Sequence, residues 1–138
     1  GTIGMFFAKM GARTIGIELS PDAVKNAKNN AKANDIKNIE LHCSDITKFF
    51  EIKPQSLLPR PSILITDPPR AGIANSALEK ILKLNAKKWV YVSCNPTTLA
   101  RDLKIACENG YQIERIQPVD MFPQTYHVET VCLLTKNQ

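Results

Sequence analysis

The chain has 138 residues, 43% hydrophobic and 22% charged, the make-up of an ordinary globular domain with a core of its own. No apolar run approaches the roughly 20 residues a membrane-spanning helix needs, so no membrane partner is expected. The cysteines Cys43, Cys94, Cys107 and Cys132 have no C-x-x-C spacing; they read as reduced thiols of a cytoplasmic protein, not as a zinc site or a disulfide scaffold. The net charge of +5 suits an acidic partner such as nucleic acid, although the lysines are dispersed.

The chain opens on Gly1-Thr2-Ile3-Gly4, and Met5 to Lys9 continues as the start of a helix. A glycine turn that binds a nucleotide-like ligand follows a strand and opens a helix. Here the helix is present and the strand is not, so a fragment cut through its own ligand loop, with its first strand missing, is expected. Thr14 to Leu19 is a short apolar strand. Glu18, at its end, is at the distance from the glycine turn where a carboxylate accepts ribose hydroxyls; the alternative is a plain surface carboxylate. Ser20-Pro21 caps a helix with Ala23, Val24, Ala27 and Ala31 on one face, and Lys25, Lys28 and Lys32 elsewhere as a solvated face. Asn38 to Cys43 is the next strand, with His42 structural. Asp45 beyond it either reaches a bound adenine or caps a turn. Glu51 to Pro61, with three prolines, is expected as a loop.

Ser62 to Thr66 is a buried strand that runs into Asp67-Pro68-Pro69-Arg70-Ala71-Gly72. Two prolines after an acid make a stiff loop poor in N–H groups, which would hold Asp67 in place. A helix starts at Asn75 or Ser76 and runs through Leu84, with Leu78, Ile81 and Leu82 inward. Trp89 to Val92 has the β-branched and aromatic make-up of a strand covered on both faces. Asn95 is a good N-cap, Pro96 suits the first helical position, and Leu99, Leu103, Ala106 and Cys107 recur at helical spacing before Asn109-Gly110 stops the helix. Cys94 thus stands at the carboxyl end of a strand and the positive end of a helix. A helix N-terminus can lower a thiol pKa and make a nucleophile, while a small buried residue is the alternative. Tyr111 to Gln117 and Val128 to Thr135 are the last two strands, and Glu129 stands just inside the second. The order βαβα closing on two adjacent strands implies an α/β fold: a mostly parallel sheet, helices on both faces, and an antiparallel pair at the C-terminus. No repeat or linker is visible, so residues 1–138 are read as a single, truncated domain.

Gly1-Thr2-Ile3-Gly4, Gly16-Ile17-Glu18, Asp67-Pro68-Pro69-Arg70-Ala71-Gly72, Ser93-Cys94-Asn95-Pro96 and Phe122-Pro123-Gln124-Thr125-Tyr126-His127-Val128-Glu129 together resemble the S-adenosylmethionine-dependent RNA uracil-5-methyltransferases. The resemblance covers essentially the whole chain and corresponds to that family's C-terminal catalytic domain, a Rossmann-like methyltransferase fold. Ala100-Arg101-Asp102-Leu103 and Pro118-Val119-Asp120-Met121-Phe122 are closer to members acting on 23S ribosomal RNA than to those acting on transfer RNA. By this resemblance Cys94 is the nucleophile, Glu129 the base, and Thr2, Glu18, Asp45 and Asp67 contact the methyl donor, S-adenosylmethionine. The chemistry fits: carbon 5 of uracil needs activation, which a thiolate added at carbon 6 supplies, and a base must then remove the carbon 5 proton. A uridine in folded RNA must also be extruded to react.

The chain departs from the family in lacking the Asp-x-Tyr/Phe-Cys-Gly run, the glutamine contact to the donor, and the N-terminal RNA-binding and iron–sulfur regions of many members. Weak donor binding and no activity by the chain alone are therefore expected, with a monomeric state and no metal in these residues. Two other classes stay open. An amino-methyltransferase would use Asp-Pro-Pro but wants an aromatic where Arg70 stands, and a non-catalytic RNA-binding fragment would need only the charge. A dehydrogenase leaves the Asp-Pro-Pro and Ser-Cys-Asn-Pro pair unexplained.

Overall fold

A computed structural model of the chain describes residues 1–53 and 60–136. They fall into two compact units, Gly1–Pro54 and Gln55–Gln138.

The first unit contains α1 (Thr2–Lys9), β1 (Thr14–Glu18), α2 (Pro21–Ala33), β2 (Ile39–Cys43) and α3 (Ile46–Ile52). β1 and β2 pair in parallel from Thr14 opposite Ile39 to Glu18 opposite Cys43, with α2 as the crossover. The Ser20 hydroxyl accepts the Ala23 N–H at 3.3 Å, and Pro21 occupies the first turn, where its missing N–H costs nothing. The 3.6-residue period buries Val24, Ala27 and Ala31 and leaves Lys25, Lys28 and Lys32 exposed. Gly16 is needed for close packing, since a Cβ there would lie 2.9 Å from Leu41 Cδ2. Asn38 fastens the C-terminal end of α1: its side-chain amide donates to the carbonyls of Ala8 at 2.7 Å and Ala12 at 2.8 Å. α1 therefore ends beside the amino ends of the strands. The helix α3 corrects part of the expected loop, because Glu51 and Ile52 are helical and Phe49 and Phe50 are buried. Residues 54–59 of that expected loop lie outside the described residues. His42 is half-buried, with its ring centroid 4.9 Å from that of Phe49 and its Nε2 2.7 Å from Glu40.

The second unit contains β3 (Ile63–Thr66), α4 (Asn75–Lys83), β4 (Lys88–Ser93), α5 (Pro96–Glu108), β5 (Tyr111–Val119) and β6 (Glu129–Lys136), in one sheet of order β3-β4-β6-β5. β3 and β4 are parallel; β6 is antiparallel to both β4 and β5. The last strand thus inserts between two earlier ones. Composition explains the order: Val131, Cys132, Leu133 and Leu134 leave β6 apolar on both faces, whereas β5 carries Gln112, Glu114, Arg115, Gln117 and Pro118, the make-up of an edge. On β4 burial alternates, with Trp89, Tyr91 and Ser93 buried and Val90 and Val92 half-buried; one face alone is fully covered, where coverage of both was expected. Trp89, Tyr91 and Tyr111 form the centre of the core, with ring centroids of Trp89 and Tyr111 5.7 Å apart. The indole N–H of Trp89 donates to Thr66 Oγ1 at 2.9 Å, and the Tyr111 hydroxyl donates to the Ala86 carbonyl at 3.1 Å, so the buried polar atoms are satisfied. Along α5, Leu99, Leu103 and Ala106 are buried as expected, but Cys107 is exposed and Asp102 takes a buried place on the helix. Among the described residues no helix is long and apolar enough to cross a membrane.

Candidate active site

In the first unit the two strands end level with each other, and the Ser44 N–H donates to the Glu18 carbonyl at 3.0 Å, which closes the carboxyl edge. Glu18 is exposed there, and its Oε1 accepts the Ser20 N–H at 2.8 Å, so the carboxylate is held by the turn that starts α2. Asp45 is the N-cap of α3: its Oδ1 accepts from the N–H groups of Thr47 at 2.8 Å and Lys48 at 3.2 Å. Of the two roles left open for Asp45, capping is the one its side chain performs here. Thr2 is exposed at the first turn of α1, and a Cβ on Gly1 beside it would lie 2.8 Å from Ala27 Cβ. Glycine therefore lets this helix start press against α2. An exposed carboxylate at a strand's carboxyl end is a suitable acceptor for ribose hydroxyls, so this edge fits a nucleoside-bearing donor.

In the second unit Asp67 follows β3, Cys94 follows β4, and Glu129 opens β6. The last pair of the β4–β6 ladder is Ser93 opposite Thr130, so Cys94, which follows Ser93, and Glu129, which precedes Thr130, lie at the same end of this strand pair. Ser93 and Thr130 are buried, while Cys94 and Glu129 beside them are half-buried. The other thiols differ: Cys43 and Cys107 are exposed, while Cys132 is fully buried and burial pushes its pKa up to about 11. The segment before Glu129 is an ordered turn, in which Thr125 Oγ1 donates to the Phe122 carbonyl at 2.8 Å and accepts the His127 N–H at 3.2 Å. It presents Phe122 and Tyr126 to solvent, with the rings of Tyr126 and His127 4.2 Å apart.

Sequence reasoning missed what holds the Asp67 loop. Asp102 on α5 is fully buried and takes three hydrogen bonds and an ion pair. Oδ2 accepts from the Tyr91 hydroxyl at 2.6 Å and the Ile73 N–H at 2.8 Å; Oδ1 accepts from Arg101 Nε at 2.8 Å and forms an ion pair with Nη2 at 2.7 Å. Burial, reinforced by the bond to Asp102, holds the Tyr91 phenol well above its ordinary pKa, so it remains a donor. Arg101 Nη2 also donates to the carbonyls of Ala71 and Ile73. The Arg70 carbonyl accepts from Asn95 Nδ2 at 3.0 Å and Thr98 Oγ1 at 3.2 Å. Gly72 has φ +76°, and a Cβ there would meet Arg101 Nη2 at 2.6 Å and Asp102 Oδ2 at 2.8 Å. The one available signal was an aspartate among the leucines of an amphipathic helix.

Parallel strands joined by helical crossovers, an antiparallel return strand and acidic residues at carboxyl strand ends define a Rossmann-like methyltransferase fold. The same architecture recurs in an rRNA methylase from Streptococcus thermophilus (TM-score 0.71, 14% identity, over 97% of this chain and 79% of that one). The profile of the tRNA (uracil-5-)-methyltransferase family matches residues 1–137, and the chain belongs to that family. It is 47% identical over 131 residues to a Clostridium tetani protein named an uncharacterized RNA methyltransferase, covering 95% of this chain and 28% of that protein. It is 32% identical to Pyrococcus abyssi tRNA (uracil-54, C5)-methyltransferase, whose structure was solved with S-adenosyl-L-homocysteine (TM-score 0.82, over 98% of this chain and 32% of that one). The chain thus spans less than a third of the length of either of these two family relatives.

Proposed function

We propose that the chain is the catalytic portion of an enzyme that methylates carbon 5 of a uridine in RNA, with both units belonging to one catalytic domain and acting as a monomer. The observation that carries this reading is the pairing of Ser93 with Thr130, which brings the neighbouring Cys94 and Glu129 to the same end of the β4–β6 pair. S-adenosylmethionine would supply the electrophilic methyl group that the activated carbon 5 accepts, with Thr2, Glu18, Asp45 and Asp67 as its contacts. The Cys94 thiolate forms a bond to carbon 6 of the uracil, and the displaced electron pair makes carbon 5 an enolate-like nucleophile. After methylation, Glu129 takes the proton from carbon 5, the 5,6 double bond returns, and the bond between sulfur and carbon 6 breaks. A thiol and a carboxylate at one end of the sheet suit this sequence, since one group adds to the ring and the other collects the proton.

The finer question is the RNA. Arg101-Asp102 and Pro118 to Phe122 favour ribosomal RNA, and the solved Pyrococcus abyssi relative, named for uracil 54 of tRNA, favours transfer RNA. The test offers both RNAs to the natural full-length protein with S-adenosylmethionine and reads 5-methyluridine by mass analysis. Cys94→Ala is expected to give neither product nor adduct, and Glu129→Gln to accumulate a protein–RNA adduct on a denaturing gel. An active Cys94→Ala would overturn the proposal in favour of direct methylation of a nitrogen.

A further inference from the structure

Beyond the nucleophile and base, we infer that Asp102, with Arg101 and Tyr91, is a positioning device that keeps the Asp67 loop in register with Cys94; this rests on the function proposed above. The donors to the Asp102 carboxylate come from three separate pieces of the second unit: Ile73 from the loop, Tyr91 from β4 and Arg101 from α5. Each piece leads to the reacting end of the sheet. Tyr91 lies on the strand that leads into Cys94, three residues before it, Arg101 lies in the second turn of the helix that follows Cys94, and Ile73 closes the loop that starts at Asp67. Asn95 and Thr98, which flank the first turn of α5, grip the same loop at the Arg70 carbonyl.

Stability is a poor explanation for such a cluster. Burying a carboxylate incurs a desolvation cost that its ion pair only offsets, and apolar side chains of similar volume commonly do as well or better. A charged centre does give direction. With two hydrogen bonds on Oδ2 and the Arg101 guanidinium on Oδ1 the carboxylate has one orientation, and each donor is fixed with it. Gly72 removes the remaining freedom, because its left-handed backbone brings the loop so close to Arg101 and Asp102 that no Cβ fits. The loop, β4 and α5 therefore move as one body, and the separation of the Asp67 carboxylate from the Cys94 thiol is set by Asp102.

The experiment measures the rate of adduct formation at saturating RNA in full-length Glu129→Gln protein, with and without Asp102→Asn, Tyr91→Phe or Thr98→Val. All rates are taken well below each variant's unfolding midpoint. Asp102→Asn is expected to slow the adduct about 10- to 100-fold, the scale of an ångström-level misplacement, with smaller losses for Tyr91→Phe and Thr98→Val. If Asp102→Asn does not fold, Tyr91→Phe and Thr98→Val decide, since both keep side-chain volume and each removes a hydroxyl. Rates that match the folded fraction of each variant overturn the positioning role and leave the proposed chemistry standing. Absence of any adduct in Glu129→Gln alone overturns that chemistry, and the positioning role with it.

Discussion

The two units are built differently. The first is packed with small and medium side chains, Ala8, Val24, Ala27 and Ala31 with Phe49 and Phe50, and among the described residues it has none of the largest fully buried groups. The second holds all of those: Trp89, Tyr91, Tyr111, Leu78, Leu134, Asp102 and Cys132. The carboxylates offered for donor contact in the first unit are thus carried on a light βαβ layer and held by single turns. Cys94, Glu129 and the Asp67 loop of the second unit stand on an aromatic core cross-tied by a buried charge. Under the proposed function, the groups that need the closest placement are the ones on the larger core.

That contrast can be broken most severely at Trp89. Trp89→Ala removes the centre of the second core and the indole bond to Thr66, and a loss of about 3–5 kcal/mol is expected, read as the shift in chemical denaturation. An effect below about 1 kcal/mol would mean that the aromatic cluster is not the support described, since a full indole cavity is not that cheap. A smaller effect is expected in the first unit from Asn38→Ala. It leaves the Ala8 and Ala12 carbonyls without their shared donor and should cost about 1–2 kcal/mol, with faster amide exchange concentrated in α1. Uniform exchange across α1 and α5 would show that the first unit is no looser than the second. The smallest effect concerns Glu40. Hydrogen bonding and charge attraction from Lys53, with help from His42, hold its carboxyl below the ordinary value of 4.5. Its contribution is therefore present above pH 4.5 and lost as pH falls through the lower folded value. Glu40→Gln should flatten the acid limb of a melting-temperature profile slightly and leave it otherwise unchanged.

Local chemistry was readable in the sequence. Ser20-Pro21 and Asn95-Pro96 start α2 and α5 at the expected residues, and Asn109-Gly110 ends α5. The strands were readable to within a residue or two; β5 runs on to Val119, past the expected Gln117, and β6 begins at Glu129 and not Val128. What escaped depends on distant partners. Helix α3 is seven residues long, too short for its period to stand out, and its cap is the same Asp45 that suggested a ligand contact. The place of β6 between β4 and β5 is decided by pairing, although the polar make-up of β5 hinted at an edge. Asp102 escaped because, Arg101 beside it apart, its donors Tyr91 and Ile73 lie 11 and 29 positions away in the chain.

The insertion of β6 has a consequence for how the protein is born. A ribosome finishes both flanking strands before it makes the one that joins them, so β4 emerges with an open edge and β5 with no partner in this sheet. Nascent chains stopped before Glu129 would carry the Cys94 sulfur without the strand that brings Glu129 to the same end of the sheet, and would offer two bare strand borders to any neighbour or chaperone.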